Sequence, residues 1–241
     1  MTRRRDRDQD AQRKAPLLFI TGMQREAACC ESDGVVIICS GANVQYLRQQ
    51  LAEIQNQKFS FVLSVGLAGG LDPSLRPGDI LIANAIAEND TLSPTDRRFV
   101  QALTEGINAC GDSVVNGAIY GSDSVVMSVE EKARLYAKTQ AMAVDMESHI
   151  AADFARPRQL PFVALRVISD PAHRALPPLA LKAITPQGDV DLKAIALGLL
   201  QAPGQIIELA RAGIDSQAAF KRLSGCRTLL GPLLRLMLAD L

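Results

Sequence analysis

The chain has no tryptophan, and only three tyrosines and seven phenylalanines among its 241 residues. Val, Ile, Leu and Ala must therefore fill the core. Net charge is also missing: 26 Lys and Arg balance 26 Asp and Glu, so bulk charge predicts no attraction to nucleic acid or to an anionic membrane. The five cysteines (29, 30, 39, 110 and 226) are odd in number and lack metal-ligand spacing, which fits reduced thiols in a cytoplasm better than a disulfide framework. The two histidines, His149 and His173, share no local motif, so no metal site is expected. No apolar run approaches the ~18 residues a spanning helix needs. No serine or cysteine stands in a nucleophile elbow. The glycines at 66, 69 and 70 do not make G-x-G-x-x-G, and Asp72 and Pro73 interrupt any helix there, which argues against a dinucleotide oxidoreductase. No repeat of fixed period is present.

What remains falls into three parts. Residues 1–14 carry six basic and three acidic side chains and read as a disordered, solvated tail without the apolar segment of a secretion signal. Residues 15–241 read as one domain, and residues 176–241 form its helical C-terminal extension. Within the domain, apolar runs bounded by Gly, Pro, Asp and Ser predict strands at 15–21, 34–40, 59–65, 80–87, 113–120, 142–145 and 161–168. Helices are predicted at 23–31, 44–54, 94–110, 128–139 and 146–156, with Ser128 and Glu131 forming a capping box. The extension adds helices at 176–184, 192–200 and 205–212 and a leucine-rich amphipathic stretch at 222–241. Residues 66–70 read as a flexible loop. Strands alternating with helices predict an α/β fold, its parallel or mixed sheet covered on both faces.

Ligands of such sheets bind outside the carboxyl ends of the strands. Glu26, residues 66–70, Asp123, Glu147 and Asp170 all fall there. Each also has a plain structural use. Glu26 suits a helix surface, and Glu147 suits the first turn of a helix, where the macrodipole favours its charge. Asp170 before Pro171 suits a turn. Asp145 is expected to cap the helix that follows it. In the functional sense, an ionised Glu147 can accept two hydroxyl hydrogens at once, as a vicinal diol requires. Ser169 can orient the Asp170 carboxyl. Arg166 lies in an apolar strand and needs an acidic partner there.

Together these residues resemble the purine nucleoside phosphorylase and nucleosidase superfamily, from about Pro16 to His173. Gly22 to Glu26 is similar to the first-strand loop of the methylthioadenosine/adenosylhomocysteine nucleosidases. Residues 65–71, with Leu67, Ala68 and Gly69, look like their glycine loop. Val144 to Glu147 matches their ribose-binding segment, and Arg166 to Asp170 the segment of their general acid. The resemblance implies a phosphorylase/hydrolase-like three-layer α/β/α fold with a mixed central sheet. It implies that Glu26 activates water, that Met146 packs on the sugar while Glu147 holds its hydroxyls, and that Asp170 protonates the departing purine. The last role needs a carboxyl kept protonated, as an apolar pocket would keep it. No cofactor or metal is implied. Three departures matter. Ser64 stands where phosphorylases carry an arginine for phosphate, and Leu67 replaces a loop serine. Val125 replaces a purine-stacking aromatic, leaving Val125 and Val126 to hold the base. The C-terminal third resembles the hopanoid-associated branch, whose members are assigned to releasing adenine from adenosylhopane. That resemblance implies a nucleoside with a large apolar 5′ group, a greasy entrance or peripheral membrane contact, and a homodimer. Phosphorolysis of the same or a smaller adenosyl nucleoside, and a catalytically silent nucleoside binder, are the alternatives.

Overall fold

A computed structural model describes residues 15–182, 185 and 191–239. The charged tail and the predicted turn around Pro186 lie outside the described residues.

The strands are β1 (Leu17–Thr21), β2 (Val35–Cys39), β3 (Phe61–Gly70), β4 (Ile80–Glu88), β5 (Thr91–Pro94), β6 (Val114–Gly121), β7 (Ala143–Asp145) and β8 (Phe162–Asp170). They form one sheet in the order β2-β1-β3-β7-β6-β4-β5, with β8 paired to both β3 and β4. β8 runs parallel to β3 and antiparallel to β4, so the circuit β3-β7-β6-β4-β8 returns on itself. The sheet is mixed, as expected. β1, β3 and β8 run parallel and carry their C-terminal ends to one rim, where β7 pairs antiparallel with Gly69 and Gly70 of β3.

The main helices are α1 (Gln24–Ala28), α2 (Val44–Glu53), α3 (Arg97–Ala109), α4 (Val129–Thr139), α5 (Ser148–Ala155), α6 (Pro178–Lys182), α7 (Leu192–Gln201) and α8 (Ile206–Ala239). Side-chain oxygens of Asn43, Asp96 and Ser128 accept from backbone amides of the first turns of α2, α3 and α4. The sheet is buried on both faces. Val44, Leu47 and Leu51 of α2 and Ile150, Ala151 and Phe154 of α5 pack on one side. Phe99, Leu103 and Ile107 of α3 and Leu223, Leu230 and Leu234 of α8 pack on the other.

Three expectations change. Residues 66–70 are the last five residues of β3, not a flexible loop. Their glycines are compatible with a strand because β7 and β8 pair with it there. A strand absent from the sequence reading, β5, pairs antiparallel with β4; it is short, largely exposed and ends in Pro94, features that hide an edge strand from periodicity. The helices expected at 205–212 and 222–241 are one helix, α8, which continues through Pro232. Its leucines at 223, 230 and 234 are fully buried against the sheet, each contributing about 1.5–3 kcal/mol of burial. That half of the extension is core. Among the described residues no helix is long and apolar enough to cross a membrane.

Candidate active site

β1 ends at Thr21, and the chain turns through Gly22 and Met23 into α1, which carries Glu26 back beneath the turn. Glu26 is 2% exposed. Its Oε2 accepts from the backbone N–H of Gly22 (2.7 Å) and Met23 (2.9 Å), and its Oε1 from that of Leu67 (2.8 Å). A carboxylate offers about four acceptor positions, so one is left for a water. Burial raises its proton affinity above the usual carboxylate range, opposed by those amides and by Arg166. This combination gives a stronger base than an exposed carboxylate. Gly66 lets β3 pass so close: a Cβ there would stand 2.7 Å from the carboxylate. The glycine run thus makes room for acids as well as for a ligand.

Glu147 follows β7 and occupies the N-cap position of α5 without a side-chain cap bond. Ser40 at the end of β2 donates to its Oε1 at 2.9 Å, and Arg166 Nη2 lies 3.8 Å from its Oε2. Arg166 is 1% exposed. It meets Asp145 through Nε at 2.5 Å, donates from Nη2 to Ser64 Oγ at 2.6 Å and from Nη1 to its neighbour's carbonyl at 3.1 Å. The expected acidic partners of Arg166 are therefore Asp145 and Glu147. Two corrections follow. Asp145 is more than a helix cap: it accepts from Ser148 N–H at 3.3 Å, yet its main partner is the guanidinium. Arg166, expected to bind substrate, does not line the cavity; it lies beneath Glu147 and holds it. Ser64 likewise faces Arg166 in the interior and is absent from the cavity wall.

Burial pushes the Glu147 carboxyl up to about 7, with Asp145 and Glu26 adding repulsion and Arg166 opposing it. Below that value the group is protonated and loses acceptor capacity for a diol; above it the group is ionised. Binding of a ribose diol should therefore tighten by about tenfold per pH unit as pH rises from 5.5 toward 7, then level off. Titrating the affinity for a ribonucleoside against its 2′,3′-dideoxy analogue checks this, since the analogue should show no such slope.

β8 delivers the third carboxylate as its last residue. Asp170 is buried, with Ser169 Oγ 2.8 Å from Oδ1 and Lys132 Nζ of α4 2.5 Å from Oδ2. A Cβ on Gly69 would stand 3.0 Å from Oδ2. The surroundings are thus not the apolar ones expected of a proton-donating acid. Lys132, 0% exposed, faces Asp170 directly. The sequence reading missed it. The available signal was its place three residues after Val129 on a helix whose N-terminus was correctly located.

The three carboxylates open into one cavity of about 350 Å³. Every predicted site residue except Arg166 lines it: Glu26, Leu67, Ala68, Gly69, Val125, Val126, Met146, Glu147, Ser169 and Asp170. Asp123 stands aside, bonded to the buried His149 at 2.9 Å and to Arg48 at 3.0 Å. A second wall, whose residues the sequence did not single out, comes from Leu176 and the C-terminal helices and includes Ala180, Ile195, Leu209, Ala212 and Phe220. Arg25 stands at this wall with its guanidinium 4.1 Å from the Phe220 ring centroid.

The family profile described as Phosphorylase superfamily matches residues 12–197. The chain belongs to that superfamily. Among its curated relatives is a 5′-methylthioadenosine/S-adenosylhomocysteine nucleosidase of Baumannia cicadellinicola subsp. Homalodisca coagulata, 30% identical over 138 residues. That match takes in 48% of this chain and 59% of the relative, so the chain spans about six-tenths of the length of the curated proteins it matches. Two solved structures from Helicobacter pylori share the superfamily fold. One is a 5′-methylthioadenosine/S-adenosyl homocysteine nucleosidase, with a TM-score of 0.63 and 16% identity, covering 94% of this chain and 99% of that one. The other is futalosine hydrolase, with a TM-score of 0.60 and 19% identity, covering 77% of this chain and 98% of that one.

Proposed function

We propose that this superfamily member hydrolyses the N-ribosidic bond of a purine nucleoside and releases adenine. The observation that carries the reading is the convergence of Glu26, Glu147 and Asp170, all buried, on one cavity. Glu147 accepts from the ribose diol, with Met146 against the sugar. Glu26 uses its remaining acceptor position to take a proton from water. Asp170 protonates the purine as the glycosidic bond lengthens toward an oxocarbenium-like state. Val125 and Val126 hold the base, with less stacking than an aromatic would give.

Charge supports water as the nucleophile. Four buried carboxylates (Glu26, Asp145, Glu147 and Asp170) meet two buried cations (Lys132 and Arg166). A floor with this excess of negative charge favours a developing ribosyl cation and repels a phosphate dianion. Phosphorolysis remains the second reading because Arg25 lines the same cavity.

The finer reading is a nucleoside with a large apolar 5′ group, of the adenosylhopane kind. The apolar wall from α6, α7 and α8 supports it, as do the exposed side chains of Leu197, Leu200, Ile206, Ile207 and Ile214 on the same helices. Such a surface suits contact with a membrane interface by a cytoplasmic homodimer. The test is chromatography for free adenine from adenosylhopane, methylthioadenosine and adenosine, each with and without phosphate. Adenine is expected without phosphate, most rapidly from the adenosylhopane substrate. A strict phosphate requirement with a ribose-1-phosphate-type product overturns the hydrolytic reading, and preference for methylthioadenosine overturns the lipid one.

A further inference from the structure

We propose that Lys132 is a positioning residue that supplies, through Asp170, the proton the departing purine takes. The inference rests on the nucleosidase reading above. Three acceptors surround Nζ: Asp170 Oδ2 at 2.5 Å, the Pro171 carbonyl at 3.1 Å and the Arg174 carbonyl at 3.0 Å. Satisfying three acceptors takes three N–H groups, and a neutral amine has only two. The resting side chain is therefore an ammonium, and its partner a carboxylate that also lies within reach of the Ser169 hydroxyl. In that state Asp170 has no proton of its own to give. The nearest one is on Nζ, along the short contact.

The step balances without any further reactant. As the C1′–N9 bond breaks, its electron pair passes to the purine ring. A carboxyl proton goes to ring nitrogen N7, and Nζ gives its proton to Asp170. Lys132 is left as a neutral amine, and water adds to C1′ while Glu26 takes a proton from it. After adenine leaves, Glu26 releases its proton to solvent and Lys132 regains one from it. The other charged groups around the pair are engaged elsewhere. On α4, Arg134 lies 4.0 Å from Glu131, and Tyr136 donates to Asp72 at 3.0 Å. After β8, Arg174 pairs with Asp215 of α8, and His173 is exposed.

The experiment compares two nucleosides with the full-length protein: an adenine nucleoside, whose leaving group needs a proton, and its N7-methylated analogue, whose leaving group does not. Lys132→Met should lower kcat for the first by roughly 10²-fold or more, the scale of general-acid catalysis, and for the second by no more than a few-fold. Lys132→Arg keeps the charge but cannot give up its proton, so it should show the same selective loss. Equal losses on both substrates would make Lys132 a mere tether, and full activity of Lys132→Arg would make it a fixed charge; either result overturns the proposal. Wild-type protein inert toward both nucleosides, with adenine still bound, instead sinks the nucleosidase reading itself and the relay with it.

Discussion

Asp170→Asn is expected to lower kcat for adenine release by roughly 10²- to 10⁴-fold, while KM moves by no more than a few-fold. The split follows from where each contact acts. In the proposed reading the ribose diol is held by Glu147 and the base by Val125 and Val126, all of which line the cavity apart from the Asp170 carboxylate. Asparagine keeps the shape of the side chain and its contact with Ser169, but its amide N–H is far too weak an acid to protonate the purine. It also leaves the buried Lys132 ammonium without a counter-charge, so some loss of melting temperature should accompany the kinetic loss. Steady-state kinetics beside thermal melting checks both. Near-normal turnover would remove Asp170 from the reaction.

Arg166→Met should be the most damaging single change to stability. The guanidinium compensates Asp145 at 2.5 Å and Glu147 at 3.8 Å in a place closed to water. Removing one partner of a buried ionic cluster costs about 3–5 kcal/mol, because the charges left behind have neither water nor a counter-ion. For a chain of this size that corresponds to a melting temperature lower by on the order of 10 °C. The loss should shrink at acid pH. Protonating Glu147, already pushed up to about 7 by burial, removes one of the uncompensated charges. Thermal melts at pH 5.5 and pH 8 would show the smaller penalty at the lower pH. A penalty independent of pH would mean that Arg166 contributes packing and not charge.

The acids of the site were legible in the sequence because each is the punctuation of an apolar run. Glu26 and Asp170 stand just after or at the ends of β1 and β8, which run parallel to β3, and Glu147 follows β7, which pairs antiparallel with the last residues of β3. Their partners were not legible. Its helical spacing from Val129 points Lys132 inward, but nothing local says that it meets a carboxylate 38 residues later. The link from Arg166 to Asp145 and Ser64 is equally remote in the chain. Among the fold elements, β5 was lost because an exposed edge strand has no buried face to create a period. α8 was read as two segments, 205–212 and 222–241, while burial of its C-terminal half against the sheet holds it continuous.

That continuity has its own consequence. α8 works as a rigid beam shared by two compartments: Leu223, Leu230 and Leu234 anchor one end in the core, while Leu209, Ala212 and Phe220 stand over the cavity. A substituent that presses on the cavity end meets a wall braced by the whole fold, not a free lid. On the proposed reading, the room beyond the ribose is set by side-chain size along this helix together with Ala180 and Ile195 of α6 and α7. Divergence toward larger or smaller substrates can proceed there by substitution alone, with the buried acids and the sheet that carries them left untouched.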